Sequence, residues 1–255
     1  MRVRILGCSG GIGAGLRTTS ILIDDDLLID AGTGVGDLTV DQLKRIRHVF
    51  LTHAHLDHTA GLPLFIDTAF STFTDHPITI HALDDTIAAL RAHMFNGIMW
   101  PDFTALPSRG RPVIEFVSLE VGESIAIPGR HVHAIEVKHS VPAVGYCVQG
   151  DGKVLAFSGD TTRNETLWPA LNAYPNIDAL LIEVSFPNRQ ADLARHAGHY
   201  CPETFAADIR KLRHRPDIWL TAMKPGEEKT IFDEVRAALP RLPIRRLARG
   251  VEIHL

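Results

Sequence analysis

The chain has 255 residues, of which 45% are hydrophobic and 22% charged, and its formal net charge is −4. This composition is typical of a folded globular protein, and it argues against disorder and against nonspecific coating of nucleic acid by clustered basic residues. Three scattered cysteines, Cys8, Cys147 and Cys201, indicate neither a disulfide framework nor a cysteine zinc site. Without a signal-peptide pattern or a membrane-length apolar run, we expect a cytoplasmic protein with a single domain over residues 1–255.

The first third of the chain has the apolar runs and turn residues of short strands. Strands are predicted at Arg2–Leu6, Ser20–Ile23, Leu27–Ile29 and His48–Leu51, and a short helix at Asp41–Ile46. The three aspartates Asp24–Asp26 indicate a hairpin turn.

Strand-like and helix-like segments alternate in the second half. Strands are predicted at Val154–Phe157, Ala179–Ile182 and Ile218–Leu220, and helices at Pro202–Leu212 and Lys229–Leu239. Polar residues follow these strands, including Asp160 and Glu183. Loops at one edge of a sheet often build a functional site, so we expect these side chains to converge.

A glycine-rich segment, Gly7–Gly13, has the spacing found in some dinucleotide-binding enzymes. Such a site needs a helix directly after the glycines. The residues Thr18–Asp24 that follow are β-branched and predict a strand, and no Tyr-x-x-x-Lys pair is present. We therefore disfavour an NAD-dependent oxidoreductase and expect the glycines to shape a turn near the site.

The sequence Thr52–His58 contains the densest group of ligand-type side chains. Three histidines and an aspartate, His53, His55, Asp57 and His58, fall within six residues directly after a predicted buried strand. Packing them there without a bound ion would leave hydrogen bonds unmade. Imidazole and carboxylate donors suit zinc, and also manganese or iron, so we predict one or two divalent ions per chain.

This His-x-His-x-Asp-His pattern resembles the signature of the metallo-β-lactamase superfamily. The resemblance implies an α/β (α+β) fold, an αββα sandwich in which two mixed sheets are flanked by helices, with two metals at one edge. By the same resemblance, the first ion is held by His53, His55, His139 and Asp160, and the second by Asp57, His58 and the bridging Asp160. Asp30 also lies in a family-like motif and is expected to support the site without binding an ion.

Within the superfamily, the segments His139–Tyr146 and Gly198–His199 resemble the branch of tRNA 3′-processing endonucleases (RNase Z) and class II cyclic-nucleotide phosphodiesterases. The segment Phe95–Phe103 resembles the phosphodiesterases. RNase Z enzymes carry a long arm that grips tRNA, but only twenty residues separate His139 from Asp160 here. The resemblance thus implies a 3′,5′-cyclic-nucleotide phosphodiesterase with a small-molecule substrate and no stable nucleic-acid or membrane partner; dimers are common in this branch, so a homodimer is expected.

The implied catalytic residues are Asp57, Glu183 and His199, with His199 as proton donor held by Glu183. Trp100 and Phe103 could stack on a nucleobase or could equally belong to the core. Rival functions are another hydrolase of this fold, such as an RNase Z-like nuclease, a lactonase or a thioesterase, and a non-catalytic metal- or nucleotide-binding protein.

One position departs from the family pattern. The family has a further metal-binding histidine near the C-terminus, before Lys-Pro, and here Ala222 precedes Met223 and Lys224-Pro225. Either the second metal site is damaged, by engineering or naturally, or Asp57, His58, Asp160 and water hold that ion. We predict that the first site binds its ion more tightly and that two-metal activity is weak or absent.

Overall fold

Strands with apolar residues on both faces build the framework of this protein, whose computed structural model describes residues 1–255. The strands are β1 (Arg2–Gly7), β2 (Ser20–Ile23), β3 (Leu27–Ile29), β4 (His48–Phe50), β5 (Ile78–Ala82), β6 (Pro107–Ser108), β7 (Arg111–Pro112), β8 (Ile114–Ser118), β9 (Ser124–Ile127), β10 (Arg130–Val137), β11 (Ala143–Gly150), β12 (Lys153–Phe157), β13 (Ala179–Glu183), β14 (Asp217–Thr221), β15 (Ile244–Arg246) and β16 (Glu252–His254). The α-helices are α1 (Val40–Leu43), α2 (Leu56–Thr59), α3 (Leu62–Thr68), α4 (Phe70–Asp75), α5 (Asp84–His93), α6 (Leu167–Asn172), α7 (Ala191–Ala197), α8 (Pro202–Asp208) and α9 (Glu228–Ala238). Three 3₁₀ helices cover Thr33–Asp37, Asn188–Gln190 and Ile209–Lys211.

Fourteen of the strands form two seven-stranded mixed sheets. The first has the order β16-β1-β2-β3-β4-β5-β8 and the second β15-β14-β13-β12-β11-β10-β9, while β6 and β7 form a separate pair. In the first sheet β3, β4, β5 and β8 are parallel neighbours, and in the second β12, β13, β14 and β15 are. The two halves of the chain therefore repeat one pattern, an antiparallel part followed by a parallel part.

Three apolar clusters divide the molecule into layers. One lies between the sheets and includes Ile21, Phe50 and Leu155. A second joins the first sheet to its helices, and a third joins the second sheet to α6, α8 and α9 through residues such as Trp168 and Phe205. Successive side chains of a strand point to opposite faces, so strands buried on both faces are continuous apolar runs. The result is the predicted αββα sandwich of two mixed sheets flanked by helices.

The segment between His139 and Asp160 forms two paired strands. Gly150 pairs with Lys153 across β11 and β12, and the two-residue turn Asp151–Gly152 joins them. Both turn residues have positive φ, 53° and 71°, as a type I′ hairpin turn requires. No arm extends from this hairpin, in agreement with its sequence.

The predicted strands are observed within one or two residues of their predicted ends. Two helices are shorter than expected: Asp41–Ile46 forms only the single turn α1, and Pro202–Leu212 is α8 followed by a 3₁₀ turn. A Thr39–Gln42 capping box makes α1 begin earlier, at Val40. None of the helices has both the length and the apolar character needed to cross a bilayer.

Candidate metal centre

The predicted ligands follow strands at one end of the sandwich, on loops or, for Asp57 and His58, in the short helix α2. His53, His55 and His58 follow β4, His139 lies between β10 and β11, and Asp160 follows β12. The loop after β4 and the second sheet meet there, because the Val144 backbone N–H donates to the Thr52 carbonyl at 3.0 Å. This contact sets the histidine cluster of one sheet against the ligand-bearing loops of the other.

Three imidazoles converge at the centre of this end. The Nε2 atom of His53 lies 3.0 Å from Nδ1 of His55, and Nε2 of His139 lies 3.2 Å from that same Nδ1. Two nitrogens bound to a tetrahedral zinc ion are separated by about 3.3 Å, since each Zn–N bond is about 2.05 Å. The three ring nitrogens therefore fit a zinc-type ion, with Asp160 next to them as an oxygen donor.

Asp160 is also close to a second set of donors. Its Oδ2 lies 3.3 Å from Nε2 of His58, and the ligand atoms of His53, His58 and Asp160 lie within 4.8 Å of one another. Asp57 is more exposed, with its Oδ2 3.8 Å from His58 Nε2. A carboxylate between two groups of imidazoles is the arrangement that a bridging ligand requires.

Asp30 holds His58 from behind. Its buried carboxylate accepts from His58 Nδ1 at 2.7 Å and from the Thr52 backbone N–H at 2.8 Å. A carboxylate only accepts here, so Nδ1 carries the hydrogen and Nε2 is the atom directed toward Asp160. Asp30 itself is in no group of potential ligands, which agrees with the supporting role expected for it.

A backbone carbonyl orients His139 in the same way. Nδ1 of His139 donates to the Gly198 carbonyl at 2.9 Å, which leaves Nε2 free to face His55. Gly198 has φ 75°, and a Cβ atom there would lie 2.8 Å from the Ser140 nitrogen. Only glycine allows this close approach, so the Gly198–His199 sequence serves both the backbone turn and the placement of His139.

Burial keeps two of the converging imidazoles neutral. Burial lowers the pKa of His53 well below its ordinary value, and the neighbouring His58 lowers it further. Burial and the adjacent His139 likewise lower the pKa of His55. A neutral imidazole offers the lone pair that a metal ion needs.

Next to these ligands is a buried carboxylate–imidazole pair. His199 Nδ1 donates to Glu183 Oε1 at 2.8 Å, and its ring centroid lies 4.9 Å from that of His139. Burial acts to lower the pKa of His199, but the Glu183 carboxylate outweighs it, and the pKa is raised. The pair can therefore hold a proton at the edge of the metal centre.

Glu183 is fixed by groups that sequence analysis did not single out. Its Oε1 also accepts from the Thr161 backbone N–H at 3.1 Å, and its Oε2 accepts from the Ser185 hydroxyl at 2.9 Å. The only sequence signal for these two residues was their position in the chain. Thr161 follows Asp160 directly, and Ser185 is two residues after Glu183. Thr52, which contacts Asp30, similarly precedes the histidine cluster.

Ala222 immediately follows β14, next to the end of β13, where Glu183 pairs with Thr221. It is 4% exposed and has φ 59°, the left-handed region, and its N–H donates to the Cys8 carbonyl at 2.8 Å. The methyl group cannot bind a metal. The structure therefore has no metal-binding side chain at residue 222, where the family pattern has a histidine.

The two aromatic candidates differ in burial: Phe103 is buried and Trp100 is half-buried. Phe103 is 2% exposed and packs against Phe70 and Phe95, with ring centroids 5.5 and 5.9 Å away. Trp100 packs against the same core cluster. Neither face of the Phe103 ring is open to a nucleobase, so the structure supports the core alternative for Phe103.

Comparisons with known proteins agree with the fold. The family model described as the beta-lactamase superfamily domain matches residues 26–219. A probable 3′,5′-cyclic-nucleotide phosphodiesterase of Yersinia pestis is 26% identical over 249 residues, covering 81% of this chain and 71% of the relative. A ribonuclease Z of Pyrococcus abyssi is 29% identical over 154 residues, covering 56% and 45% of the two chains. The crystal structure of unliganded yeast PDE1 has a TM-score of 0.83 at 18% identity, covering 100% of this chain and 99% of that one, and shares the fold.

Proposed function

Because the chain belongs to the beta-lactamase superfamily, we propose that it is a metal-dependent phosphodiesterase that hydrolyses 3′,5′-cyclic nucleotides. The observation that carries this proposal is the convergence of three imidazole nitrogens, from His53, His55 and His139, next to Asp160 and the His199–Glu183 pair. The phosphodiesterase relative supports the substrate class.

The residues divide between two ion positions. His53, His55, His139 and Asp160 would hold the first ion; Asp57, His58 and Asp160 would hold the second. Zinc suits the nitrogen-rich first set best, and manganese or iron could also occupy it. When bound, a divalent ion lowers the pKa of a water molecule and neutralises charge on phosphate oxygens.

The chain's own residues complete the reaction. Water adds to phosphorus, the bond from phosphorus to the 3′ oxygen breaks, and a proton must reach that oxygen. The Glu183 carboxylate raises the pKa of His199, which favours the protonated imidazole, and Glu183 Oε1 accepts from Nδ1. His199 is thus the proton donor, and Glu183 is the residue that positions it.

A leaving-group comparison tests these roles. General acid catalysis contributes about 10² to 10⁴ in rate, but a p-nitrophenolate leaves without needing a proton. We expect His199→Ala, and more weakly Glu183→Gln, to slow hydrolysis of cyclic AMP by about 10²-fold or more. On bis(p-nitrophenyl) phosphate the loss should be under about tenfold. His196→Ala, an exposed histidine on α7, is the matched control; equal losses on both substrates would remove the proton-donor role.

The ribonuclease Z relative makes an RNA nuclease the second candidate. We expect metal-loaded protein to release 5′-AMP from cyclic AMP and to leave a precursor tRNA trailer intact, because the hairpin β11–β12 has only a two-residue turn and carries no arm. Chromatography of both reactions, with a lactone as a third substrate, decides. Cleavage of the trailer or the lactone but not of cyclic AMP would replace the proposed activity.

A further inference from the structure

A cavity of about 500 Å³ lies beside the glycine-rich segment Gly7–Gly13. The proposed reaction does not use this cavity. Its walls are Cys8–Ser9, Leu16–Arg17, Met223 and the stretch Arg246–Arg249. None of the candidate metal ligands lines it. The cavity therefore needs an explanation of its own.

The polar side of this cavity is positively charged. Three guanidinium groups line it, and Glu228 is the one carboxylate among the lining residues. Arg17 and Arg249 share Asp37, at 3.3 and 2.6 Å, whereas the Arg246 side chain has no hydrogen bond or ion pair. With Asp37 and Glu228 counted against the three arginines, one positive charge is left over. A guanidinium group offers paired N–H donors that match phosphate oxygens.

Ser9 supplies an independent sign of a missing partner. The residue is 8% exposed, and its Oγ is buried without a hydrogen-bond partner. Buried hydroxyl groups in folded proteins nearly always have one. Because neighbouring atoms cover this oxygen, a ligand in the adjoining cavity binds it only if the Ser9 side chain turns toward the cavity.

The remaining wall is apolar and includes Leu16, Met223 and Leu247. A volume of about 500 Å³ is in the range of small-molecule sites, which combine an apolar lining with a few polar anchors. We propose that this cavity binds an organic phosphate of the nucleoside monophosphate type, with the phosphate on Arg246 and Arg249 and the base against the apolar wall. This binding requires neither the metal centre nor turnover.

Titration calorimetry with 5′-AMP on the intact protein tests the proposal. We expect saturable binding that Arg246→Ala weakens at least about tenfold, because the variant removes a charged phosphate anchor. Arg246 has no partner in the protein, so its replacement should leave folding intact. Arg236→Ala, an exposed arginine on α9, is the matched control and should bind like the unaltered protein. Adenosine, which lacks the phosphate, should bind at least about tenfold more weakly than 5′-AMP.

His139→Ala separates this cavity from the metal centre, because it alters a proposed metal ligand that lies outside the cavity. We expect this variant to retain 5′-AMP binding, and a crystal structure with 8-bromo-AMP should place bromine beside Leu16 or Leu247. Absence of saturable binding, equal affinity in Arg246→Ala and Arg236→Ala, or binding lost only in His139→Ala would each overturn the proposal.

Discussion

Two residues with left-handed backbone, Asp30 and Ala222, lie at strand ends beside the candidate metal centre. Their φ angles are 54° and 59°. This conformation costs a residue other than glycine about 1–2 kcal/mol, and it is found mainly where the surrounding structure enforces it. Asp30 turns its carboxylate toward His58 from this conformation. Ala222 has the same backbone without a polar side chain.

Replacing Ala222 by histidine should therefore strengthen the second ion position. Histidine is one of the residues enriched in the left-handed region, so the backbone at φ 59° accepts it. We expect bound metal after dialysis to rise from about one to about two ions per chain, and kcat/KM on cyclic AMP to rise at least about tenfold. Elemental analysis and the cyclic AMP assay measure the two effects.

Ala222→Gly is the control for that experiment, because glycine accepts the same backbone and adds no donor. It should keep the metal content of the unaltered protein. If the unaltered protein already retains two tightly bound ions, the second position is complete without a histidine at 222, and the prediction fails.

At the scale of elements, the parallel strands β4 and β5 place the buried His81 against the half-buried His48. His81 is 4% exposed, stacks on Phe50 at 4.2 Å, and lies 3.2 Å through Nε2 from Nδ1 of His48. Burial, with a smaller contribution from His48, lowers the pKa of His81 to about 4. Protonation of His81 therefore favours the unfolded chain.

This pair predicts how stability depends on pH. The folded pKa lies below the unfolded value, so the stabilisation is complete above pH 6.5 and is lost as the pH falls toward 4. Between pH 7 and 5 His81 alone should remove about 2 kcal/mol from the free energy of unfolding. Urea denaturation of His81→Leu should show a pH dependence weaker by that amount, and His131→Leu, on the exposed face of β10, should not. Parallel curves for the two variants would contradict the assignment.

At the scale of the whole molecule, contacts between the sheets make the two halves interdependent. The Tyr146 hydroxyl on β11 donates to the Leu51 carbonyl at 2.6 Å, directly before the histidine cluster. Tyr146 is also part of the apolar cluster between the sheets, to which both halves contribute. We therefore propose that the chain unfolds as one unit, in keeping with a single domain.

Tyr146→Phe tests that coupling. Loss of a buried hydrogen bond should lower the free energy of unfolding by about 1–2 kcal/mol, with one transition retained for both halves. Tyr174→Phe removes a hydroxyl that contacts the half-buried His133 and should cost less. Calorimetry distinguishes the outcomes, since two separate transitions in either protein would show that the sheets unfold independently.

The sequence by itself determined the strands buried on both faces, the Asp24–Asp26 turn and the dense His53–His58 cluster. These features depend on side-chain periodicity, turn chemistry and local spacing, which neighbouring residues specify. The predicted ends of helices α1 and α8 were less accurate than the predicted strands. Helix ends depend on capping and 3₁₀ turns, which single contacts decide.

Only the tertiary structure decided which distant side chains meet. His139 lies 84 residues from His55 in the chain, yet their ring nitrogens are 3.2 Å apart because the two sheets pack face to face. Packing of helices on the first sheet buries Phe103, and the tertiary fold gathers Arg17, Arg246 and Arg249 around one cavity. Distances of this kind depend on how whole layers pack, and no local pattern of residues records them.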